Sequence, residues 1–193
     1  FREQGYDVTL LMDSVTRLAM AQREVGLAIG EPPAMRAYPP SVFALLPQLL
    51  ERAGTAEVGT ITGFYTVLVE GDDLNEPITD TVRSILDGHI VLSRSLAGEN
   101  HFPAIDVLAS VSRLISDLAS PEHLEAASKL REMLATYERA KDLINIGAYA
   151  RGTNPQIDQA IERLPAIKEL LRQKGGEVSP YEDTLEHLMR VVS

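Results

Sequence analysis

An aspartate at the end of an apolar run is the first residue of this sequence that is placed for chemistry. Residues 8–12 are all apolar or β-branched, which predicts a strand buried on both faces, and Asp13 follows them directly. Ligands of open α/β sheets bind beyond the carboxyl ends of the strands. A carboxylate at that position can hold Mg²⁺ near a bound nucleotide. The alternative is that Asp13 caps the helix that follows, and the two roles are compatible.

Arg17 is the second candidate, because it lies four residues after Asp13 on the same face of the predicted helix. Its side chain can reach either the Asp13 carboxylate or a bound phosphate. A structural ion pair is therefore the alternative to a phosphate contact at this position.

Other acidic and imidazole side chains do not form a pattern that indicates a metal centre. Three acids follow a predicted strand closely, but we interpret them as a solvated turn rather than as a divalent site: Glu70, Asp72 and Asp73. The four histidines are scattered without ligand spacing, so we assign them no metal role: His89, His101, His123 and His187.

The composition excludes several classes of protein. The chain has 193 residues, of which 45% are hydrophobic, and a formal net charge of −10. That charge argues against a surface built to bind nucleic acid. There is no cysteine, so disulfides and thiolate metal sites are excluded. Without a signal peptide or an apolar run long enough to span a bilayer, we expect a soluble, cytoplasmic protein. The sequence begins without Met, and Gly5 predicts the end of a helix whose last turn includes the first residues, so we expect a fragment.

Strands and helices alternate in the first two thirds of the sequence, which favours a parallel sheet with crossover helices. Strands are predicted at residues 8–12, 61–69, 90–92 and 104–108, with helices after Asp13, from Ser41 and at residues 78–86. A loop stiffened by prolines, residues 26–40, interrupts this order. Beyond Pro121 the spacing is helical, at residues 124–146, 155–171 and 181–192. We place the domain boundary at residue 120, with one domain over residues 1–120 and a helical domain over 121–193.

Several blocks of sequence, in order, resemble the type III secretion ATPases, which are related to the catalytic subunits of rotary ATP synthases. The resemblance extends over nearly the whole chain and is carried by these blocks: residues 7–24, 30–41, 63–77, 86–94 and 102–113. A further block, residues 142–158, resembles the flagellar export branch more than the virulence injectisome branch. The resemblance implies an α/β fold, namely the second half of a RecA-like P-loop NTPase core with a mostly parallel sheet, followed by a C-terminal helical domain.

The resemblance also implies an activity, ligands and partners. Members hydrolyse ATP with Mg²⁺ as homohexamers, and support chaperone release and the export of flagellar proteins. The implied partners are stalk, export-gate and chaperone–cargo proteins, with peripheral association with a membrane export apparatus and no nucleic acid. The loop of residues 30–40 matches the family's loop that faces the central pore, where the stalk lies.

Site residues follow from the same resemblance. Asp13 matches the Walker B aspartate, which holds the metal, and Phe102 matches the aromatic residue that stacks on adenine. Arg113 matches the arginine finger offered to the neighbouring subunit's nucleotide, and Arg17 is a further catalytic candidate. A core position for Phe102 and a salt bridge for Arg113 are the alternatives.

Two family features do not occur in this sequence. The phosphate-binding pattern G-x-x-x-x-G-K-[ST] is absent, as is the glutamate that polarises the attacking water upstream of the Walker B strand. We therefore expect these residues not to catalyse alone. The alternatives are an injectisome ATPase, a rotary-type subunit, or a non-catalytic module that docks export partners.

Overall fold

A parallel pair of strands forms the centre of the first of two compact units. The computed structural model describes residues 1–193, which divide into Phe1–Asp87 and Gly88–Ser193. The first unit contains three strands and three helices, besides short 3₁₀ turns: β1 (Asp7–Met12), α1 (Val15–Ala28), α2 (Pro40–Leu50), β2 (Gly54–Thr55), β3 (Thr60–Tyr65) and α3 (Pro77–Ile85).

In this unit β1 and β3 pair in parallel, in a register that runs from Asp7 opposite Thr60 to Met12 opposite Tyr65. The short β2 pairs with β3 in the antiparallel sense. The predicted stop at Gly5 is confirmed, because Gly5 ends a 3₁₀ turn in the left-handed region with φ of 87°. The crossover from β1 to β3 contains α1 and α2, as parallel pairing requires.

The core of the first unit lies between its helices and one face of the sheet. Its fully or nearly buried members come mainly from the three helices: Val15, Ala19, Tyr38, Val42, Leu46, Leu50, Ile78 and Val82. The prediction that residues 8–12 are buried on both faces is wrong. Met12 packs against the core, but Leu11 is 77% exposed. A continuous apolar run does not specify which face the chain's own helices cover, and in this unit they cover only one.

The second unit combines an antiparallel strand pair with a bundle of three longer helices. Its elements are β4 (Gly88–Leu92), α4 (Arg94–Gly98), β5 (Ile105–Ser112), α5 (Ile115–Leu118), α6 (Pro121–Asn145), α7 (Pro155–Leu170) and α8 (Tyr181–Val192). The bundle core is contributed by α6, α7 and α8: Leu130, Met133, Ala160, Ile167 and Val191. The three predicted C-terminal helices are confirmed, with α8 at its predicted bounds.

The parallel pairing predicted from the alternation of strands and helices holds for β1 with β3 but not for β4 with β5. β4 and β5 pair in the antiparallel sense, from Gly88 opposite Ser112 to Leu92 opposite Ile105, with an irregularity between His89 and Val91. The connection between them holds only the short α4 and a turn, which lets the chain fold back beside the preceding strand. Of the three strand pairs, only β1 with β3 is parallel.

Two predicted element ends also differ from the structure. The strand predicted over residues 61–69 ends at Tyr65, because the next residues bond to the start of α1 instead of extending the ladder. The Val15 N–H donates to the Thr66 carbonyl, and the Leu68 N–H donates to the Thr16 hydroxyl. α2 begins at Pro40, before the predicted cap Ser41. The domain boundary at residue 120 stays a prediction. None of the helices is long and apolar enough to cross a membrane.

Candidate functional site

The Asp13 carboxylate lies at the carboxyl end of the parallel strand pair and does not cap the helix that follows. Ser14 is the N-cap of α1, because its hydroxyl oxygen accepts a hydrogen bond from the Arg17 N–H at 3.3 Å. Asp13 instead accepts a hydrogen bond from the Thr66 hydroxyl, with 2.6 Å between Oδ1 and Oγ1. Thr66 follows the partner strand β3, so both side chains extend from the same end of the sheet. The capping alternative for Asp13 is therefore wrong.

The donor set at Asp13 fits a Mg²⁺ ion that is held mainly by a ligand. Mg²⁺ in nucleotide sites takes one or two carboxylates, with substrate phosphates and water completing its octahedron. Asp13 is exposed and has one hydrogen bond within the chain, which leaves carboxylate lone pairs for a cation. Nowhere in the chain do three His, Asp or Glu side chains come together around one point. The residues present thus match a metal bound with its substrate, not one enclosed by protein ligands.

Arg17 lies on the exposed side of α1 and forms no ion pair with Asp13. Arg17 therefore lies on the helix that follows the candidate metal ligand, but it does not pair with the Asp13 carboxylate. Its possible contact with a phosphate stays a prediction.

The proline-rich loop and the acidic turn of the first unit are joined by an ion pair. Arg36 donates to the Asp73 carboxylate at 2.6 Å. This hydrogen bond, with one from the Asn75 N–H, holds the pKa of Asp73 below its ordinary value. Tyr38, at the end of the same loop, is buried with the Arg23 guanidinium 5.6 Å from its ring centre, and burial raises its pKa. Asp73 is therefore occupied by a protein cation, which supports the interpretation of this turn as structural.

Phe102 belongs to the turn between α4 and β5 in the second unit, and the residue is 51% exposed. The alternative that it is a core residue is therefore wrong. Its backbone is fixed, because its carbonyl oxygen accepts a hydrogen bond from the Gln173 N–H at 2.8 Å. A half-exposed aromatic ring on a fixed backbone can stack on another planar ring.

His101, directly before Phe102, is a buried residue that the sequence does not mark as part of the site. It is 4% exposed, and neither ring nitrogen has a hydrogen-bond partner. Burial lowers its pKa below the ordinary value, and the neighbouring Arg172 and Lys168 lower it further, against opposing effects of the Leu171 carbonyl and Glu99. Nothing in its local sequence marks it as buried, because the residues that enclose it come from about 70 positions later.

Arg113 lies one residue beyond β5, in an exposed position. The strand before it is held by Arg131 of α6, whose guanidinium donates to the carbonyls of Val107 at 2.5 Å, Leu108 at 3.3 Å and Ser110 at 3.4 Å. Arg131 was also missed, because on a helix it has the pattern of an ordinary solvated residue. Its role is visible only once α6 is packed on β5.

We expect Arg131→Met to destabilise the second unit by about 1–2 kcal/mol, because three carbonyls lose a charged donor while water can reach them in part. Urea denaturation of the purified chain measures this change. Lys129→Met is the matched control, since Lys129 makes only an exposed pair with Glu125. Equal stability of the two variants would show that the Arg131 contacts contribute nothing.

The four predicted site residues are thus divided between the units. Asp13 and Arg17 lie in the first unit, near the start of α1 but without an ion pair between them, and Phe102 and Arg113 lie near opposite ends of β5 in the second.

Family models match almost the whole chain. The nucleotide-binding domain of the ATP synthase alpha/beta family matches residues 1–112, and the C-terminal domain of the type III secretion ATPase EscN matches residues 119–190. The chain therefore belongs to the ATP synthase alpha/beta family, and within it resembles the ATPases of flagellar and type III secretion systems. This confirms the family inferred from the sequence blocks.

Individual relatives agree with this assignment. The flagellum-specific ATP synthase of Bacillus subtilis is 57% identical over 188 residues, covering 97% of this chain and 43% of that protein. The type 3 secretion system ATPase of Xanthomonas euvesicatoria is 53% identical over 191 residues, covering 99% of this chain and 43% of that protein. The chain thus spans less than half the length of these relatives.

Solved structures confirm the RecA-like α/β class. The assembled ATPase EscN of enteropathogenic E. coli superposes with a TM-score of 0.97 at 53% identity, covering 100% of this chain and 47% of that one. EscN in complex with its central stalk EscO gives a TM-score of 0.90 at 51% identity, covering 100% and 46%.

Proposed function

We propose that this chain is the C-terminal part of an export ATPase that hydrolyses ATP with Mg²⁺ and supports chaperone release and the export of flagellar proteins. The observation that carries this proposal is the Asp13 carboxylate, which extends beyond the parallel strand pair, fixed by Thr66 and relieved of helix capping by Ser14. A bound Mg²⁺ would neutralise the charge that develops on the transferred phosphoryl group.

Each site residue has one role in this proposal. Asp13 holds the metal, Phe102 stacks its half-exposed ring on adenine, and Arg113 acts on the nucleotide of the next subunit in a homohexameric ring. Arg17 contacts a phosphate. Guanidinium suits both arginine roles, because it stays charged and donates a fork of hydrogen bonds to phosphoryl oxygens.

The flagellar branch is favoured by residues 142–158 and by the 57% identity to the Bacillus subtilis protein. An injectisome ATPase is the alternative, since the Xanthomonas protein is 53% identical.

The partners follow from the proposed assembly. The EscN–EscO complex supports a stalk protein as partner, and we assign its contact to the loop of residues 30–40, which the Arg36–Asp73 ion pair joins to the acidic turn. Export-gate and chaperone–cargo proteins are the further partners, at the cytoplasmic side of a membrane export apparatus.

The test uses a chimera in which this chain replaces the matching residues of the Bacillus subtilis flagellum-specific ATP synthase (the chimera). We expect the chimera to release phosphate from Mg-ATP, whereas the isolated 193-residue chain releases none, because no phosphate-binding loop occurs in its sequence. A phosphate-release assay measures both, with the unmodified relative as the positive control. Steady release by the isolated chain, or a folded but inactive chimera, would contradict the proposal.

A further inference from the structure

The turn that carries Phe102 is attached to the end of α7. The Gln173 N–H donates to the Phe102 carbonyl at 2.8 Å, and Lys168 lies 3.9 Å from the Glu99 carboxylate. On its other side the turn is closed by the backbone N–H of His101, which donates to the Leu96 carbonyl at 2.9 Å. The backbone of the turn that carries Phe102 is therefore attached to α7 and to the residues that follow it.

The side chain between this turn and the end of α7 is a histidine whose ring nitrogens form no hydrogen bonds. His101 is buried, and neither Nδ1 nor Nε2 has a hydrogen-bond partner. Buried polar atoms in native proteins are nearly always paired, since an unpaired one costs free energy of desolvation. A leucine would fill the same space without that cost. Packing alone thus does not explain a histidine at this position.

An acceptor for the ring is close by. α7 ends at Leu170, and the last carbonyls of a helix have no partner inside the helix. The Leu171 carbonyl is near enough to His101 to favour the protonated ring, although the two do not form a hydrogen bond here.

We propose that His101 is a positioning residue for Phe102, whose neutral ring donates a hydrogen bond to the Leu171 carbonyl when nucleotide is bound and so fixes the Phe102 ring against adenine. This inference rests on the proposed function, because it needs Phe102 as the adenine contact. The neutral imidazole has one N–H donor, which is sufficient for one carbonyl.

The charges around His101 keep the ring neutral. Burial lowers its pKa, and Arg172 and Lys168 at the end of α7 act in the same direction, while the Leu171 carbonyl and Glu99 oppose them. A histidine whose pKa is lowered by folding takes up its proton more readily in the unfolded chain. The stability that it contributes is therefore lost as the pH falls below about 6.5.

The test compares two substitutions in the chimera. His101→Leu keeps the volume but removes the donor, so we expect the KM for ATP to rise about five-fold, the equivalent of one hydrogen bond, with kcat unchanged. His101→Gln supplies an uncharged amide donor and is expected to restore KM to within about two-fold of the parent. His123→Leu is the matched control, since His123 contacts Tyr181 and not this turn.

A pH titration of the His101 ring gives a second readout. In the isolated 193-residue chain, NMR of the imidazole protons should show His101 titrating below the ordinary histidine value.

The outcomes separate the two proposals. An inactive parent chimera contradicts the proposed function. The NMR titration of the isolated chain still tests the inference about His101 in that case, since a ring that titrates at the ordinary histidine value would overturn it. In an active chimera, a parental KM in His101→Leu, or a KM in His101→Gln as high as in His101→Leu, would overturn the positioning role.

Discussion

Replacement of Arg113 with alanine is expected to lower ATP turnover by the chimera about a thousand-fold. An arginine that enters a neighbouring nucleotide site stabilises charge only in the transition state, so its loss acts on kcat. Arg113→Lys should be nearly as inactive, because an ammonium cannot donate the same fork of hydrogen bonds. Phosphate release at saturating Mg-ATP measures both variants. Arg94→Ala is the control, as the other exposed arginine at a strand end of this unit.

Mixing subunits tests whether Arg113 acts on the next subunit. Asp13→Ala and Arg113→Ala proteins, each inactive alone, are combined one to one. In a head-to-tail ring about a quarter of the interfaces then pair an intact Asp13 with an intact neighbouring Arg113. Activity should therefore return on mixing. If labelled subunits are seen to exchange and the mixture releases no more phosphate than the two variants separately, Arg113 acts within its own subunit or only as a structural residue.

Asp13→Asn is expected to lower turnover at least a hundred-fold while the unit keeps its stability. The amide oxygen can still accept the Thr66 hydroxyl hydrogen bond, so the substitution removes the charge and little else. Loss of that charge weakens the hold on Mg²⁺ and its stabilisation of the phosphoryl group. Turnover is measured over a Mg²⁺ titration, in which the half-saturating concentration should rise.

Ser14→Ala is the control that separates the metal role from helix capping. It removes the N-cap of α1 and should cost about 1 kcal/mol of unfolding free energy with turnover retained. The Asp13 assignment would be refuted by an Asn variant that is destabilised but turns over like its parent.

The sequence was informative where the determinants of structure are local. α1, α3 and the three long C-terminal helices are confirmed because periodicity, proline at a helix start and glycine at a stop act within a few residues. The carboxylate at the end of β1 was found in the same way. Burial of β1 on both faces was wrong, since coverage of a strand depends on elements that its own residues do not encode.

The missed residues share one property, which is that their partners are distant in sequence. Arg131 meets carbonyls more than 20 positions earlier, and His101 is enclosed by residues about 70 positions later. The antiparallel return of β5 beside β4 is a further case, because alternation of strands and helices does not specify strand direction. Such features follow only from packing of the whole unit.

The donor and the acceptors of the contact between Arg131 and β5 differ in how well they tolerate substitution. All three acceptors are main-chain carbonyls, which every amino acid carries. Positions 107, 108 and 110 can therefore change their side chains over evolutionary time without loss of an acceptor, whereas a replacement at position 131 by a residue without a long cationic side chain removes all three hydrogen bonds at once. A compensating second substitution has nowhere to occur on the strand. Selection on this contact should thus fall on a single codon.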